Sequence, residues 1–175
     1  IPRQDSLPDI ELRRKVKQTL SGFGLQEIMT YTLISREIMR KIYNEPHDPE
    51  PMPPKVANPM TADQEYLRPS LRPNLFTALT ANQRLAEGNI KFYEVGKVFA
   101  DKPGDLPLET EMLCGVLTGN RYEDSWLGGE GSYDFFDVKG LMEALFHKLG
   151  IEIGVDKSDD QTLHLAGAFI DLADA

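Results

Sequence analysis

The run KFYEVGKVFA, residues 91–100, is followed by DKPGDLPLET, 101–110, and then by EMLCGVLTG, 111–119. The two outer segments are apolar and of strand length, and the Pro-Gly and Leu-Pro steps between them mark a turn, so the sequence predicts two strands paired antiparallel. The first strand carries one glycine in its middle and ends on Phe99 before turning into charge. Whether it presents catalytic groups or serves as wall is the question that decides its function.

The segments on either side of this hairpin read as helices. In EYLRPSLRPNLFTALTANQRLAEGN, 65–89, Pro69 interrupts any continuous helix, Ser70 is an expected N-cap and Pro73 falls in the tolerated first turn. A helix is predicted over 71–86 with Leu75, Leu79 and Leu85 inward, ending near Gly88, and with Arg68 just outside its start and Arg72 just inside. Beyond the hairpin, RYEDSWLGGEGSY (121–133) is a glycine-rich loop without the lysine of a P-loop or the spacing of a dinucleotide fingerprint. Asp134 or Asp137 then caps VKGLMEALFHKLGI, where Leu141, Leu145 and Leu149 recur every four residues and Gly150 ends the helix.

Toward the N-terminus, Ser6, Pro8 and Asp9 precede IELRRKVKQTLSGFG, in which Leu12, Val16 and Leu20 recur every four residues and Gly22 and Gly24 end the pattern. Arg13, Arg14, Lys15 and Lys17 on its other side read as a solvated face, the alternative being a grip on RNA phosphates. LQEIMTYTLI, 25–34, is rich in β-formers and reads as one strand, after which Ser35 caps a short helix through about Tyr43. Five prolines in 45–55 impose an extended loop, which holds His47. KVANPM, from 55, reads as a short strand, and Thr61 with Gln64 has capping-box spacing. Four helices and about five strands, joined mostly antiparallel, make an α+β fold: an antiparallel sheet flanked by helices.

The chain has 175 residues and 41% hydrophobic content, enough for a domain with its own core. Its 19 basic and 28 acidic residues give a net charge of −9, which repels phosphate backbones at long range. Cys114 is the single cysteine, so no internal disulfide forms, and a reducing, cytoplasmic setting is expected. There is no run of about 20 apolar residues to span a bilayer and no secretion signal. With no initiator methionine at Ile1 and a final stretch that stops in mid-pattern, the sequence reads as a piece of a longer protein. His47, His147 and His164 are isolated in the sequence and no nucleophile elbow is present, so no catalytic, cofactor or metal residue is assigned.

Four blocks in order, GFGLQEIMTYTLIS, ANPMTADQEYLRPSLRPNLFTALTANQ, KFYEVGKVF and YDFFDVKGLMEALFHKLG, resemble the bacterial phenylalanyl-tRNA synthetase β-subunit family, and the opening IPR resembles the end of the run that precedes this region there. The resemblance implies a class II synthetase-like module over 9–175, with 1–8 as the linker from a preceding domain. It implies a structural, non-catalytic part of an α2β2 enzyme that charges tRNA-Phe using ATP and Mg²⁺, with none of these cofactors held by this fragment. Catalytic class II cores place an arginine at the end of the strand corresponding to 91–100, in a pattern like G-x-V-Y-R. Here Gly96, Lys97, Val98 and Phe99 keep the skeleton and Ala100 stands at the arginine position, with Lys97 on the wrong face to replace it. The first helix and following strand resemble the first class II motif, which builds subunit interfaces. Leu12, Val16, Leu20 and Phe23 are therefore expected to contribute to core and to the α-subunit interface. Arg68 and Arg72 are expected either to reach the partner subunit or tRNA, or to form local caps and surface ion pairs. Past about residue 157 the resemblance weakens, since His164-Leu165-Ala166-Gly167 stands where the family has His-Pro-Gly-Arg. The competing readings are a stand-alone ATP-dependent amino-acid-adenylating enzyme and an acidic interaction domain unrelated to translation.

Overall fold

A computed structural model of the chain describes residues 8–43, 52–84, 89–121, 131–151, 163–165 and 168–170. The elements in chain order are α1 (Pro8–Gly22), β1 (Gln26–Glu27), β2 (Leu33–Ile34), α2 (Arg36–Tyr43), a 3-10 turn (Ala62–Gln64), β3 (Tyr66–Leu67) and α3 (Arg72–Gln83). There follow β4 (Ile90–Ala100), β5 (Leu108–Thr118), α4 (Phe135–Leu149), β6 (Leu163–Leu165) and β7 (Ala168–Ile170).

The β4–β5 hairpin is the centre of the fold. Its register runs unbroken from Ile90 opposite Thr118 to Ala100 opposite Leu108. The second strand thus starts at Leu108, three residues earlier than its apolar run, because each residue back to the turn finds a ladder partner on β4. On the other edge of β4, β1 pairs in parallel, Gln26 opposite Phe92 and Glu27 opposite Tyr93.

Because side chains alternate along a strand, β4 has two apolar faces and each is covered by helix. On one face Tyr93 and Val95 pack with Leu20 and Leu25 from the α1 end and Leu145 of α4, bordered by Val16, Leu113, Leu117, Leu141, Met142 and Leu149. On the other, Ile90, Phe92 and Val98 meet Leu71, Leu75 and Leu79 of the α3 segment, with Met112, Cys114 and Val116 from β5 beneath them. The order is therefore α1 and α4, sheet, α3. A smaller core of Ile34, Met39 and Tyr66 forms where β2 pairs antiparallel with β3 under α2.

Local chemistry sets the helix ends. Asp134 caps α4 by accepting from the N–H groups of Phe136 and Asp137, while the Asp137 carboxylate accepts from the Asp134 N–H, a closed capping box. Gly150, at φ 74°, ends the helix in the left-handed conformation that glycine adopts without a Cβ penalty. Ser35 Oγ accepts from the Ile38 N–H, the expected cap of α2.

Several expectations need correction. Residues 25–34 are two short strands in two different sheets, with 28–32 between them outside regular structure. KVANPM contributes only an isolated bridge, Lys55 to Tyr66. Thr61 makes no side-chain cap bond; the 3-10 turn closes instead through the Gln64 N–H and Thr61 carbonyl. The N-cap position of α3 falls on Leu71, one residue later than expected, but the Ser70 hydroxyl accepts from the Arg72 N–H at 3.3 Å and so still serves a donor of the first turn; Pro73 lacks an N–H, so one fewer donor needs a partner there. The helix ends at Gln83, and Leu85, like His47, lies outside the described residues. Leu12, expected on the apolar stripe of α1, is 50% exposed, because Arg13 takes the position over the sheet, bonding the Val95 carbonyl and pairing with Glu111.

Candidate functional site

Glu94 is the one acidic residue inside the apolar run of β4, and it faces α3. It is 2% exposed, and Arg68, 3% exposed, lies against it, with Nη1 donating to Glu94 Oε1 at 2.8 Å. Arg68 also donates from Nε to the Lys97 carbonyl (3.0 Å) and from Nη1 to Thr30 Oγ1 (2.9 Å). Glu94 in turn accepts from the Thr30 hydroxyl (2.7 Å) and the Thr30 N–H (3.3 Å). Two opposite charges at this burial survive only when their remaining hydrogen-bonding capacity is met. No buried side-chain nitrogen or oxygen among the described residues lacks a partner.

Gly96 makes room for this arrangement. A Cβ built there would stand 2.4 Å from Arg68 Nη2, so the guanidinium lies against bare backbone. The main chain of Arg68 is fixed as well: its N–H donates to the Thr32 carbonyl and its carbonyl accepts from the Phe99 N–H, each at 2.9 Å. One arginine thereby ties together β3, β4 and the 28–32 segment. Ala100, at the end of β4 on the same face, is exposed and carries no charge.

The six residues singled out from the sequence fall in different environments. Leu20 is buried in the core and Val16 packs at its border, whereas Leu12 and Phe23 stand 50% and 40% exposed. Arg68 is neither a surface pair nor a cap; it is interior. Arg72 is half-buried at the start of α3. The structure does not bring Leu12 or Phe23 into the Arg68 network. The residues that sequence reasoning passed over are Glu94 and Thr30, and the signal for Glu94 was there: an isolated carboxylate within an apolar strand demands a buried cation.

Other polar groupings are structural. Arg121 donates to Asp134 and Asp137 at the start of α4, and its hydrogen bond holds the Asp137 carboxyl below the usual carboxylate range. Burial raises the Cys114 thiol, partly offset by Arg72, so it stays protonated and unreactive at neutral pH. Among the described residues no group of three or more His, Cys, Asp or Glu is placed to hold a metal ion, and no helix is long and apolar enough to cross a membrane.

The phenylalanine–tRNA ligase beta subunit of Dehalococcoides mccartyi is 36% identical over 163 residues, covering 93% of this chain and 20% of that protein. The corresponding subunit of Bacillus thuringiensis is 39% identical over 140 residues, 79% of this chain and 17% of its own length. The chain thus spans about a fifth of the length of the relatives it matches. Among solved structures, a pyrrolysyl-tRNA synthetase from Desulfitobacterium hafniense superposes with a TM-score of 0.60 at 21% identity, covering 86% of this chain and 49% of that one. At that identity the likeness is one of fold, and the fold is that of a class II synthetase core. The family model for the phenylalanyl tRNA synthetase beta chain CLM domain matches residues 2–170, and the chain belongs to that family.

Proposed function

We propose that this chain is a non-catalytic synthetase-like module of a phenylalanine–tRNA ligase beta subunit, supporting the alpha-subunit active site and the assembly of an α2β2 enzyme that charges tRNA-Phe in the cytoplasm. In this reading residues 1–8 link it to a preceding domain, 9–175 form the module, and ATP and Mg²⁺ act elsewhere in the holoenzyme.

The observation that carries the reading is the state of the β4 face. Adenylate formation needs a cation offered to the α-phosphate. Arg68 is engaged by Glu94 with its Nη2 against Gly96, Arg72 sits at the start of α3 close enough to act on Cys114, and the strand itself ends on the uncharged Ala100. Leu12 and Phe23 have the exposed apolar surface for subunit contact; Leu20 serves the core. Arg72, near the surface at the start of α3, is the better placed of the two arginines for a contact with partner or tRNA.

Pyrophosphate exchange with phenylalanine and ATP, run on the beta chain alone and with the alpha subunit, tests this. Exchange is expected only when alpha is present. Exchange by the beta chain alone would support the stand-alone adenylating enzyme and sink the scaffold reading.

A further inference from the structure

The chain leaves the edge of β4 at Ile28, whose N–H donates to the Tyr93 carbonyl, and returns to that strand at Arg68, whose carbonyl accepts from the Phe99 N–H. Between these two points the described residues, 29–43 and 52–67, build a unit with an interior of its own. Ile34, Met39 and Tyr66 are buried together with Met52 at their border, and none of the four belongs to the apolar clusters on either face of β4. Its backbone also pairs inward: β2 lies against β3, the Leu67 N–H donates to the Pro54 carbonyl, and the Val56 N–H donates to the Glu65 carbonyl.

That interior is small for what it has to hold. β2 and β3 have two residues each and α2 has eight, whereas β4 and β5 pair over 11 residues with helix on both faces. Helices shorter than about 12 residues and lone two-stranded ribbons are marginal in water. The unit is fastened where its two ends cross. Arg68, at the outgoing end, donates from its N–H to the Thr32 carbonyl and from Nη1 to Thr30 Oγ1 at the incoming end. It binds both to β4 through Glu94 and the Lys97 carbonyl, and Thr30 reaches Glu94 as well.

A buried ion pair suits such a fastening. Half-opened, it leaves an uncompensated charge in the interior; fully opened, it returns both charges to water. Intermediate positions are therefore penalised and two states remain. Proteins open in contiguous cooperative units, drawn from regions with few buried apolar contacts.

We infer that Arg68, Glu94 and Thr30 form a latch, and that on its release residues 29–67 open as one unit while the β4–β5 sheet and its covering helices stay folded. The inference stands on packing and does not depend on the functional reading above.

Hydrogen exchange followed by mass spectrometry, on the full-length beta chain purified with its alpha subunit, tests it. Backbone amides in 33–34, 39–43 and 66–67 are expected to share one protection factor, about tenfold or more below that of 92–98 in β4 and 141–145 in α4. Leu145→Val, in the main core, should lower protection in β4 and α4 about fivefold and leave the unit unchanged, because that core is intact before and after the unit opens. Thr30→Val keeps the side chain's shape and removes its bonds to two charged groups, so it should lower the unit's protection about tenfold. Equal protection throughout, or an equal loss everywhere in Leu145→Val, would show one cooperative block and overturn the inference. Unchanged protection of the unit in Thr30→Val would mean that the cluster stays closed when the unit opens, which refutes the latch. The comparison within the unaltered protein holds even where a variant fails to fold.

Discussion

Replacing Arg68 by methionine keeps most of its stem and removes its charge, leaving Glu94 as an anion 2% exposed with only Thr30 to bond it. At a charge separation of about 4 Å and an effective dielectric near 20, the lost attraction is about 4 kcal/mol. Breaking a buried pair by deleting one partner costs about 3–5 kcal/mol. Four donated bonds go as well, to Glu94, Thr30 and the Lys97 and Tyr31 carbonyls. Against a total stability of about 5–15 kcal/mol for a domain, the single variant should be near collapse. Glu94→Leu should cost a similar amount by stranding the guanidinium. Combining Arg68→Met with Glu94→Leu removes both charges and fills the space with apolar atoms, and the double variant should be more stable than either single one. Urea unfolding followed by circular dichroism gives all four corners of the cycle. Single variants costing under about 1 kcal/mol, or costs that simply add, would refute the claim that this pair behaves as a buried one.

Three other outcomes follow from the described geometry. Gly96→Ala drives a Cβ into Arg68 Nη2 and should destabilise by about 1–3 kcal/mol in the same assay. Gly140→Ala, in α4 with no atom within 4 Å of the new methyl, should instead stabilise by about 0.5–1 kcal/mol. Asp137 has its carboxyl lowered by Arg121, so its contribution is full above the unfolded carboxylate value of about 3.9 and is lost as pH falls through the lower folded value. Melting temperatures measured from pH 6 down to about 2 should therefore fall less steeply in Asp137→Asn than in the parent.

The parts of the fold that were legible in the sequence are those fixed by near neighbours. The hairpin, α1, α3 and α4 each show their own periodicity and breakers within one window, and the α4 cap is written in Asp134 and Asp137. Residues 25–34 misled because β-propensity reports on a residue's suitability for a strand and says nothing about which strand it joins. There the outcome was decided by Glu94, 64 positions from Thr30, which holds the chain away from a continuous ladder. Arg68 was misplaced for the same reason: beside Pro69 it resembles a residue at a solvent-facing helix start, and its partner lies 26 positions on. Leu12 shared the spacing of Val16 and Leu20, and only the competing claim of Arg13 on the sheet moved it outward.

The fit between Arg68 and Gly96 also bears on how β4 finds its alignment. A slip of one residue would turn Glu94 away from Arg68 and toward the apolar cluster of Leu20, Leu25 and Leu145, and the loss of the buried pair opposes such a slip by several kcal/mol. A slip of two is subtler, since every side chain stays on its own face and alternation alone does not resist it. It would carry Glu94 or Val98 to the place Gly96 occupies under the guanidinium, where even a methyl group stands at 2.4 Å. The charge rejects odd errors and the missing side chain rejects even ones, so three residues together specify a single pairing for the longest ladder in the described chain.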